Sequence, residues 1–252
     1  MKYLFTKQGV AVIDQIASAR VLLAFDFDGT LAPIVGDRNT ARMTKTTRQL
    51  FARVCERYPC AVISGRGDAD VRARLEDAAV RYVVGNHGIA PAAFRPAFRR
   101  DIARADAALR ESLGDVGGVD IENKVWSLAV HYGRARQRKK AEDRILRAAQ
   151  ALPVAVRIGR GINVVNLVSA RAPHKGDALL TVRAAEGADI AFFIGDDVTD
   201  EDVFALDQPG RLVTVRVGRS TSSAASYFLK RQGEMDRLLL QLLTARREWE
   251  SR

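Results

Sequence analysis

Two aspartates, Asp26 and Asp28, follow an unbroken apolar run at residues 21–25 and precede Gly29 and Thr30. An apolar run of this length that ends in a turn signal predicts a strand buried on both faces, as in a parallel sheet. Open parallel sheets bind their ligands at the carboxyl ends of the strands. Two carboxylates are costly to bury there without a positive group between them, so we expect a divalent metal ion together with a phosphate.

The spacing of this pair suits phosphoryl transfer, which needs a nucleophile, a proton donor for the leaving oxygen and positive charge around the phosphoryl oxygens. Asp26 can attack phosphorus and form an aspartyl-phosphate. Asp28, two residues later on the turn, can protonate the leaving group and then activate water. An Asp-x-Asp pair alone often only caps a turn, so the prediction depends on the buried strand before it and the Gly-Thr after it.

A second acidic cluster follows the apolar run at residues 190–194 and begins with Asp196. Acids at a buried strand end are typical magnesium ligands. We expect Mg²⁺ to bind Asp26, a backbone oxygen of Asp28 and Asp196, with Asp200 close by. Asp200 also falls in the first turn of a predicted helix, where an acid favours the helix dipole, and this alternative interpretation stays open for it.

A serine and a lysine are candidates for holding the phosphate. Ser64 ends another apolar run, and its hydroxyl with the neighbouring backbone N–H groups of Gly65 and Arg66 can hold phosphate oxygens, although Ser-Gly is more often an ordinary turn. Lys175 begins a predicted helix directly after a proline segment, and its point charge can hold both the phosphate and Asp26. His87, after a third apolar run, either orients a loop or contacts the substrate.

The elements that must position these residues alternate between strand and helix patterns. This alternation over residues 1–92 and 171–252 predicts an α/β fold with a Rossmann-like, doubly wound parallel sheet. Residues 93–170 break the rhythm with two helices and two hairpin-like strand pairs. They predict an inserted, smaller α/β domain with an antiparallel sheet.

Composition bounds the class of protein. The hydrophobic fraction of 47% and the charged fraction of 28% are typical of a globular protein. The first apolar residues are too few for a signal peptide and no stretch is long enough to span a bilayer, so we expect a cytoplasmic protein without a membrane partner. The two cysteines, Cys55 and Cys60, are interpreted as reduced structural thiols.

The net charge of +10 favours an anionic partner, either a nucleic acid or a phosphorylated small molecule, although a solvated basic surface explains it equally well. The basic stretch at residues 136–140 opens an amphipathic helix and is not interleaved with aromatic residues. We therefore expect a small phosphorylated molecule and no nucleic acid. The oligomeric state is left open.

Taken together, these motifs resemble those of the haloacid dehalogenase superfamily. The matching residues, in chain order, are Asp26-x-Asp28-Gly-Thr, Ser64, Lys175 and Gly195-Asp196-Asp197-x-x-Asp200. A finer pattern resembles the trehalose-6-phosphate phosphatases. It consists of Ser64-Gly65-Arg66, Gly85-Asn86-His87-Gly88, Glu122-Asn123-Lys124, Ser127-Leu128, His131-Tyr132, Lys175-Gly176 and the acidic cluster through Glu201.

The resemblance implies Mg²⁺-dependent hydrolysis of trehalose 6-phosphate through an aspartyl-phosphate, in trehalose biosynthesis. It also implies that the inserted domain is a cap that closes over the sugar, with Glu122 and Lys124 binding sugar hydroxyls. The family usually has a glutamate where this chain has Asn166, and an arginine where it has Gly133. Loss of a carboxylate that accepts hydroxyl hydrogen bonds can redirect specificity.

Two alternatives therefore stay open at this point. One keeps the chemistry and changes the substrate to a sucrose, glucosylglycerol, mannosylglycerate or hexose phosphate. The other is a basic nucleic-acid-binding or regulatory protein that has kept the fold without the activity. The four intact motifs argue against the second alternative, because binding alone needs no aspartate pair.

Overall fold

The structure, a computed structural model, describes three stretches of the chain: residues 1–88, 96–161 and 163–251, with side chains not described at 96 and 97. The chain divides into two compact units. The first unit joins Met1–Ala90 with Pro173–Arg252, and the second unit is Pro91–Ala172. The boundary expected from the sequence at residues 92 and 93 lies outside the described residues.

The described residues form strands and helices in alternation. The strands are β1 (Lys2–Tyr3), β2 (Val21–Phe25), β3 (Cys60–Ile63), β4 (Tyr82–Val84), β5 (Asp120–Asn123), β6 (Ser127–His131), β7 (Val156–Gly161), β8 (Val164–Ser169), β9 (Ile190–Gly195), β10 (Leu212–Val217) and β11 (Tyr227–Leu229). The α-helices are α1 (Lys7–Ala17), α2 (Lys45–Arg57), α3 (Asp68–Leu75), α4 (Pro96–Leu113), α5 (Arg138–Gln150), α6 (Lys175–Glu186), α7 (Glu201–Phe204) and α8 (Met235–Glu250).

The first unit contains a seven-stranded sheet in the order β1-β11-β10-β9-β2-β3-β4. Every pair of neighbouring strands in it is parallel. From β2 the chain continues to β3 on one side, and it later returns to place β9 on the other side. The gap between β2 and β9 is thus a topological switch point, where open α/β sheets form a ligand-binding crevice. The predicted parallel α/β fold is confirmed.

Both faces of this sheet are buried, as the unbroken apolar run of β2 predicts. Leu23 and Phe25 pack into one core with residues of α1, α2 and α8. Leu22 and Ala24 point the other way and pack into a second core with residues of α6 and α7. All five residues of β2 are buried. The strand is therefore a rigid base for the aspartates that follow it.

Two helix boundaries show how local sequence sets these elements. Helix α6 begins with a capping box in which His174 accepts the Asp177 N–H and Asp177 accepts the His174 N–H. It ends at Gly187, whose φ of 67° is left-handed, as is common at helix C-termini. Helix α3 ends at Leu75, because the next residue, Glu76, adopts a positive φ of 48°.

The second unit contains a four-stranded antiparallel sheet in the order β5-β6-β8-β7. The two predicted hairpin-like pairs are β5 with β6 and β7 with β8, and the inner strands β6 and β8 join them. One face of the sheet, which includes Leu128, Val130 and Leu167, packs with α4 and α5 in a single core. Side chains of the alternate residues lie on the opposite face.

Candidate functional site

Asp26 lies one residue beyond β2, at the switch point. Its backbone N–H donates a 2.8 Å hydrogen bond to the Ile194 carbonyl of β9, which extends the parallel ladder by one residue. Asp26 is only 4% exposed. The aspartate expected to act as nucleophile is therefore held by the backbone of the two central strands.

Asp196 follows β9 and lies against the turn after β2. A Cβ atom at Gly29 would overlap the Asp196 carboxylate, and Gly29 has a left-handed φ of 74°. Only glycine meets both requirements without strain. The Thr30 hydroxyl donates a hydrogen bond of 3.3 Å to Asp196 Oδ1. The glycine and threonine after the aspartate pair thus form the seat of a carboxylate that is 166 residues away in the chain.

Lys175, the first residue of α6, places its ammonium group between two carboxylates. Its Nζ lies 2.7 Å from Asp200 Oδ1 and 3.2 Å from Asp26 Oδ1. All three side chains are buried, at 1%, 0% and 6% exposure respectively for Lys175, Asp200 and Asp26. A Cβ atom at Gly195 would overlap the Asp200 side chain, so this glycine also makes room for the cluster.

Burial and mutual repulsion shift the acids of this cluster. Burial raises the pKa of Asp26 well above its ordinary value, Lys175 opposes that rise, and Asp200 and Asp196 add to it. Burial, with repulsion from Asp200 and Asp197, raises the pKa of Asp196 to about 7. Burial acts to lower the pKa of Lys175, but the attraction of Asp200 and Asp26 outweighs it and raises that pKa.

The raised pKa values of Asp26 and Asp196 reflect an excess of negative charge in the cluster, which a metal ion can neutralise. One oxygen each from Asp26, Asp196 and Asp200 lies within 4.8 Å of the others. Lys175 supplies a single positive charge against these three carboxylates. Carboxylate oxygens at this spacing fit a hard divalent cation such as Mg²⁺. The residues present therefore fit a divalent metal, and they include three of the four aspartates expected from the sequence as ligands.

The Asp28 carboxylate, by contrast, is paired with Arg66. Arg66 Nε and Nη2 each donate a hydrogen bond of 2.6 Å to a different oxygen of Asp28. Arg66 is 1% exposed, whereas the Asp28 side chain is 40% exposed. The sequence places Arg66 among the phosphate-binding residues, and the structure directs its guanidinium to the second aspartate.

Ser64 lies in the loop that follows β3, and His87 lies in the turn that follows the neighbouring strand β4. Ser64 is fully buried, and its hydroxyl accepts the Arg66 backbone N–H at 3.3 Å. The Ser64 carbonyl accepts the His87 N–H at 2.9 Å. A Cβ atom at Gly65 would overlap the His87 ring, so the imidazole packs directly on the Gly65 backbone. The structure thus brings His87 into the same loop cluster as Ser64 and Gly65.

The remaining predicted residues lie in the second unit: Glu122 and Asn166 are on the sheet face opposite α4 and α5, and Lys124 is the residue after β5. Glu122 is in register with Ala129, which is in register with Asn166 on the next strand. Residues in register point to the same face, so Glu122 and Asn166 flank a small alanine on one row. Glu122 Oε2 also lies 3.6 Å from Lys124 Nζ and 3.1 Å from His131 Nε2. These side chains form a polar row on the sheet.

Some functional contacts were not predicted from the sequence. The Thr30 bond to Asp196 and the Arg66 pair with Asp28 both join residues far apart in the chain. Gln232 also donates hydrogen bonds to the carbonyls of Thr30 and Leu31 at 3.1 and 3.4 Å. The Gly-Thr after the aspartates was the one available signal for Thr30.

No described helix is long and apolar enough to cross a membrane.

Comparisons with known proteins agree with this site. Residues 24–232 match a family model described as trehalose-phosphatase. The trehalose-phosphate phosphatase of Mycolicibacterium paratuberculosis is 34% identical over 210 residues, which cover 76% of this chain and 52% of that protein. The trehalose-phosphate phosphatase of Mycobacterium tuberculosis is 32% identical over 225 residues, which cover 80% of this chain and 55% of that protein. The chain thus spans about half the length of the curated relatives it matches.

A solved structure shares the fold. The C-terminal domain of C. albicans trehalose-6-phosphate phosphatase superposes with a TM-score of 0.77 at 20% identity, over 97% of this chain and 98% of that chain. The family match covers most of the chain and includes both acidic strand ends, Ser64 and Lys175. The chain therefore belongs to the trehalose-phosphatase family, within the haloacid dehalogenase superfamily.

Proposed function

We propose that this protein is a Mg²⁺-dependent phosphatase that hydrolyses trehalose 6-phosphate to trehalose and phosphate. The observation that carries the proposal is the position of Asp26, buried at the switch point beside Lys175, with Asp196 and Asp200 around it. Membership of the trehalose-phosphatase family supports the substrate, because the curated relatives carry that name.

The reaction takes place in two steps on the protein's own residues. In the first step an Asp26 carboxylate oxygen attacks phosphorus, the bond from phosphorus to the sugar oxygen breaks, and Asp28 gives its proton to that oxygen. Trehalose leaves as the alcohol. In the second step Asp28 takes a proton from water as the water oxygen attacks phosphorus. The bond from phosphorus to Asp26 then breaks and inorganic phosphate leaves.

Positive charge and N–H groups hold the phosphoryl oxygens during both steps. Lys175 is already within 3.2 Å of Asp26 and carries a fixed charge beside the phosphorus position. The Ser64 hydroxyl and the backbone N–H groups of Gly65 and Arg66 complete the clamp in this proposal. Mg²⁺ would be held by Asp26, Asp196, Asp200 and the Asp28 backbone carbonyl, and when bound it would neutralise charge on the phosphoryl oxygens.

The second unit is the sugar-binding cap in this proposal. Glu122 and Lys124 bind sugar hydroxyls through their charged ends, and Asn166 on the same row takes part in selecting the sugar. His87, packed on Gly65, contributes to the substrate side of the phosphate loop. The partner is thus a small phosphorylated sugar.

One observation favours a second candidate substrate. Asn166 stands where the family usually has a glutamate, and an amide offers both a donor and an acceptor where a carboxylate only accepts. The row of side chains that contains Asn166 then fits a sugar with a different arrangement of hydroxyl groups. A sucrose, glucosylglycerol, mannosylglycerate or hexose phosphate is accordingly the second candidate, with the chemistry at Asp26 unchanged.

Phosphate release from a panel of these esters tests the proposal. The full chain is incubated with each sugar phosphate, with Mg²⁺ and then with EDTA, and inorganic phosphate is measured. We expect Mg²⁺-dependent release with the highest kcat/KM for trehalose 6-phosphate. A higher kcat/KM for another sugar phosphate would replace the substrate but keep the reaction. No release from any ester would favour the non-catalytic binding protein.

A further inference from the structure

We propose that Arg66 is a positioning residue for proton transfer, which holds the Asp28 carboxylate in its working orientation and is itself fixed by Asp70. The inference rests on the proposed function, since it assigns a task to the general acid of that reaction. The Arg66 side chain acts through Asp28 and not on the substrate.

The contact between the Arg66 and Asp28 side chains is bidentate. Arg66 Nε donates to Asp28 Oδ2 and Nη2 donates to Oδ1, both at 2.6 Å. A planar guanidinium that binds both oxygens fixes the rotation of the carboxylate as well as its place. A lysine in this position would leave that rotation free. The bidentate pair therefore fixes the direction in which the Asp28 carboxylate points, and a proton donor must point at its acceptor.

Arg66 is in turn held on the side away from Asp28. Its Nη1 donates to Asp70 Oδ2 at 2.8 Å and its Nη2 donates to the Arg38 carbonyl at 2.6 Å. The guanidinium carbon also lies 5.8 Å from the centre of the Phe27 ring. Because the Arg66 side chain is only 1% exposed, these protein groups, and not water, stabilise its charge. It is a fixed anchor and not a mobile surface residue.

Asp70 joins this anchor to the loop that precedes α2. Its other oxygen accepts a hydrogen bond of 2.8 Å from Arg74 Nε, and Arg74 Nη1 donates to the Ala41 carbonyl at 2.6 Å. Asp70 and Arg74 lie one turn apart on α3, and Arg66 lies in the loop before this helix, so Asp70 bridges the two arginines. The network runs from the loop through α3 to Asp28.

Asp28 needs such an anchor because its own surroundings do not fix it. Its side chain is 40% exposed, and the next residue, Gly29, has a left-handed φ of 74°. A half-exposed aspartate on a turn samples several rotamers. Arg66 selects one of them before substrate binds, and such preorganisation lowers the barrier to proton transfer.

The role predicts a dependence on the leaving group. The sugar oxygen leaves as a strongly basic alkoxide unless Asp28 protonates it, whereas p-nitrophenolate leaves without help. The value of kcat/KM reports the step up to leaving-group departure and excludes the later attack by water. A misdirected Asp28 therefore lowers kcat/KM for the sugar phosphate much more than for p-nitrophenyl phosphate.

The experiment compares Arg66→Gln with wild type on both esters, with Arg72→Gln as the matched control because Arg72 is an exposed arginine on α3, the helix that follows Arg66. We expect kcat/KM for trehalose 6-phosphate, or for the sugar phosphate that wild type prefers, to fall by about 100-fold. The fall for p-nitrophenyl phosphate is expected to stay below about tenfold. Arg72→Gln should match wild type on both.

A second variant keeps the inference testable if Arg66→Gln does not fold. Asp70→Asn keeps the Arg66 fork and removes one anchor, and we expect a fall of about tenfold for the sugar phosphate with little change for the aryl ester. Equal losses on both esters would show a merely structural role and overturn the inference, as would a gain in kcat/KM. Wild type that hydrolyses neither ester would instead overturn the proposed function.

Discussion

The ammonium group of Lys175 lies 2.7 Å from the Asp200 carboxylate, with both side chains buried. The same ammonium group lies 3.2 Å from Asp26. One lysine thus stabilises two carboxylates that would otherwise repel each other in the interior. The relationship explains why the lysine motif and the second acidic motif occur together, and it gives Lys175 a structural task beside the catalytic task that we propose for it.

Lys175→Met should destabilise the protein strongly, since it leaves buried carboxylates without their counter-ion. Breaking a buried pair costs about 3–5 kcal/mol of unfolding free energy. Chemical denaturation at pH 7 measures this loss. Lys45→Met, at an exposed position on α2, is the control and should change stability by less than about 0.5 kcal/mol. Equal stability of the two variants would contradict the account of the cluster.

Mg²⁺ should raise the melting temperature of the wild-type protein, because it neutralises the excess charge of the carboxylate cluster only in the folded state. We expect a rise of about 3–6 °C at saturating Mg²⁺. Asp196→Asn should abolish most of this rise, whereas Asp202→Asn, an exposed acid on α7, should leave it intact. Thermal unfolding with and without Mg²⁺ checks both. A Mg²⁺ effect unchanged in Asp196→Asn would exclude this cluster as the metal site.

Asp101 should make the stability of the second unit depend on pH. Burial acts to raise the pKa of Asp101, but hydrogen bonds from Arg171 and Ser169 outweigh it and lower that pKa. A lowered folded-state pKa gives stability that is complete above the unfolded pKa of about 3.9 and is lost as pH falls through the folded value. Because Arg171 is 67% exposed, we expect Asp101→Asn to cost only about 1 kcal/mol at pH 7.

The measurement is urea denaturation of wild type and Asp101→Asn from pH 7 to pH 2.5. The difference between them should shrink steadily as the pH falls below about 4. Asp115→Asn, which breaks an exposed pair with Arg144, serves as the control with an effect below about 0.5 kcal/mol. A difference that stays constant across the range would refute the assigned pKa direction.

Asn166→Glu should change which sugar phosphate the protein prefers. A carboxylate on this row can accept hydrogen bonds from sugar hydroxyls, so we expect kcat/KM for trehalose 6-phosphate to rise relative to the other sugar phosphates by about tenfold. Asn163→Asp is a suitable control because Asn163 lies before the first residue of β8 and its left-handed φ of 57° also accommodates aspartate. An unchanged substrate profile in Asn166→Glu would mean that Asn166 does not select the sugar.

Much of the fold was predictable from local patterns. The unbroken apolar runs of β2, β3 and β9 predict strands buried on both faces, and the parallel sheet confirms them. The strands β1 and β11 escaped prediction because two or three residues are too few to show a period. Their pairing depends on contacts between the two ends of the chain, which no local signal contains.

The site residues also divide into those that the local sequence predicts and those that only the structure shows. Asp26 and Asp196 are readable from sequence because each follows a buried strand, and parallel strands end at one edge of the sheet. The partner of Asp28 is not readable, because any of several nearby basic residues could reach it. The loop between β3 and α3 brings Arg66 to that carboxylate. Long-range pairing of charged side chains is thus the part that needs the structure.

The sharpest test of Asp26 as the nucleophile is the turnover of trehalose 6-phosphate by Asp26→Asn. The substitution removes the nucleophilic oxygen and keeps the size of the side chain. We expect phosphate release to fall by about 10⁴-fold or more, with the folded state retained by circular dichroism. Release within about tenfold of wild type by the folded variant would contradict an aspartyl-phosphate on Asp26.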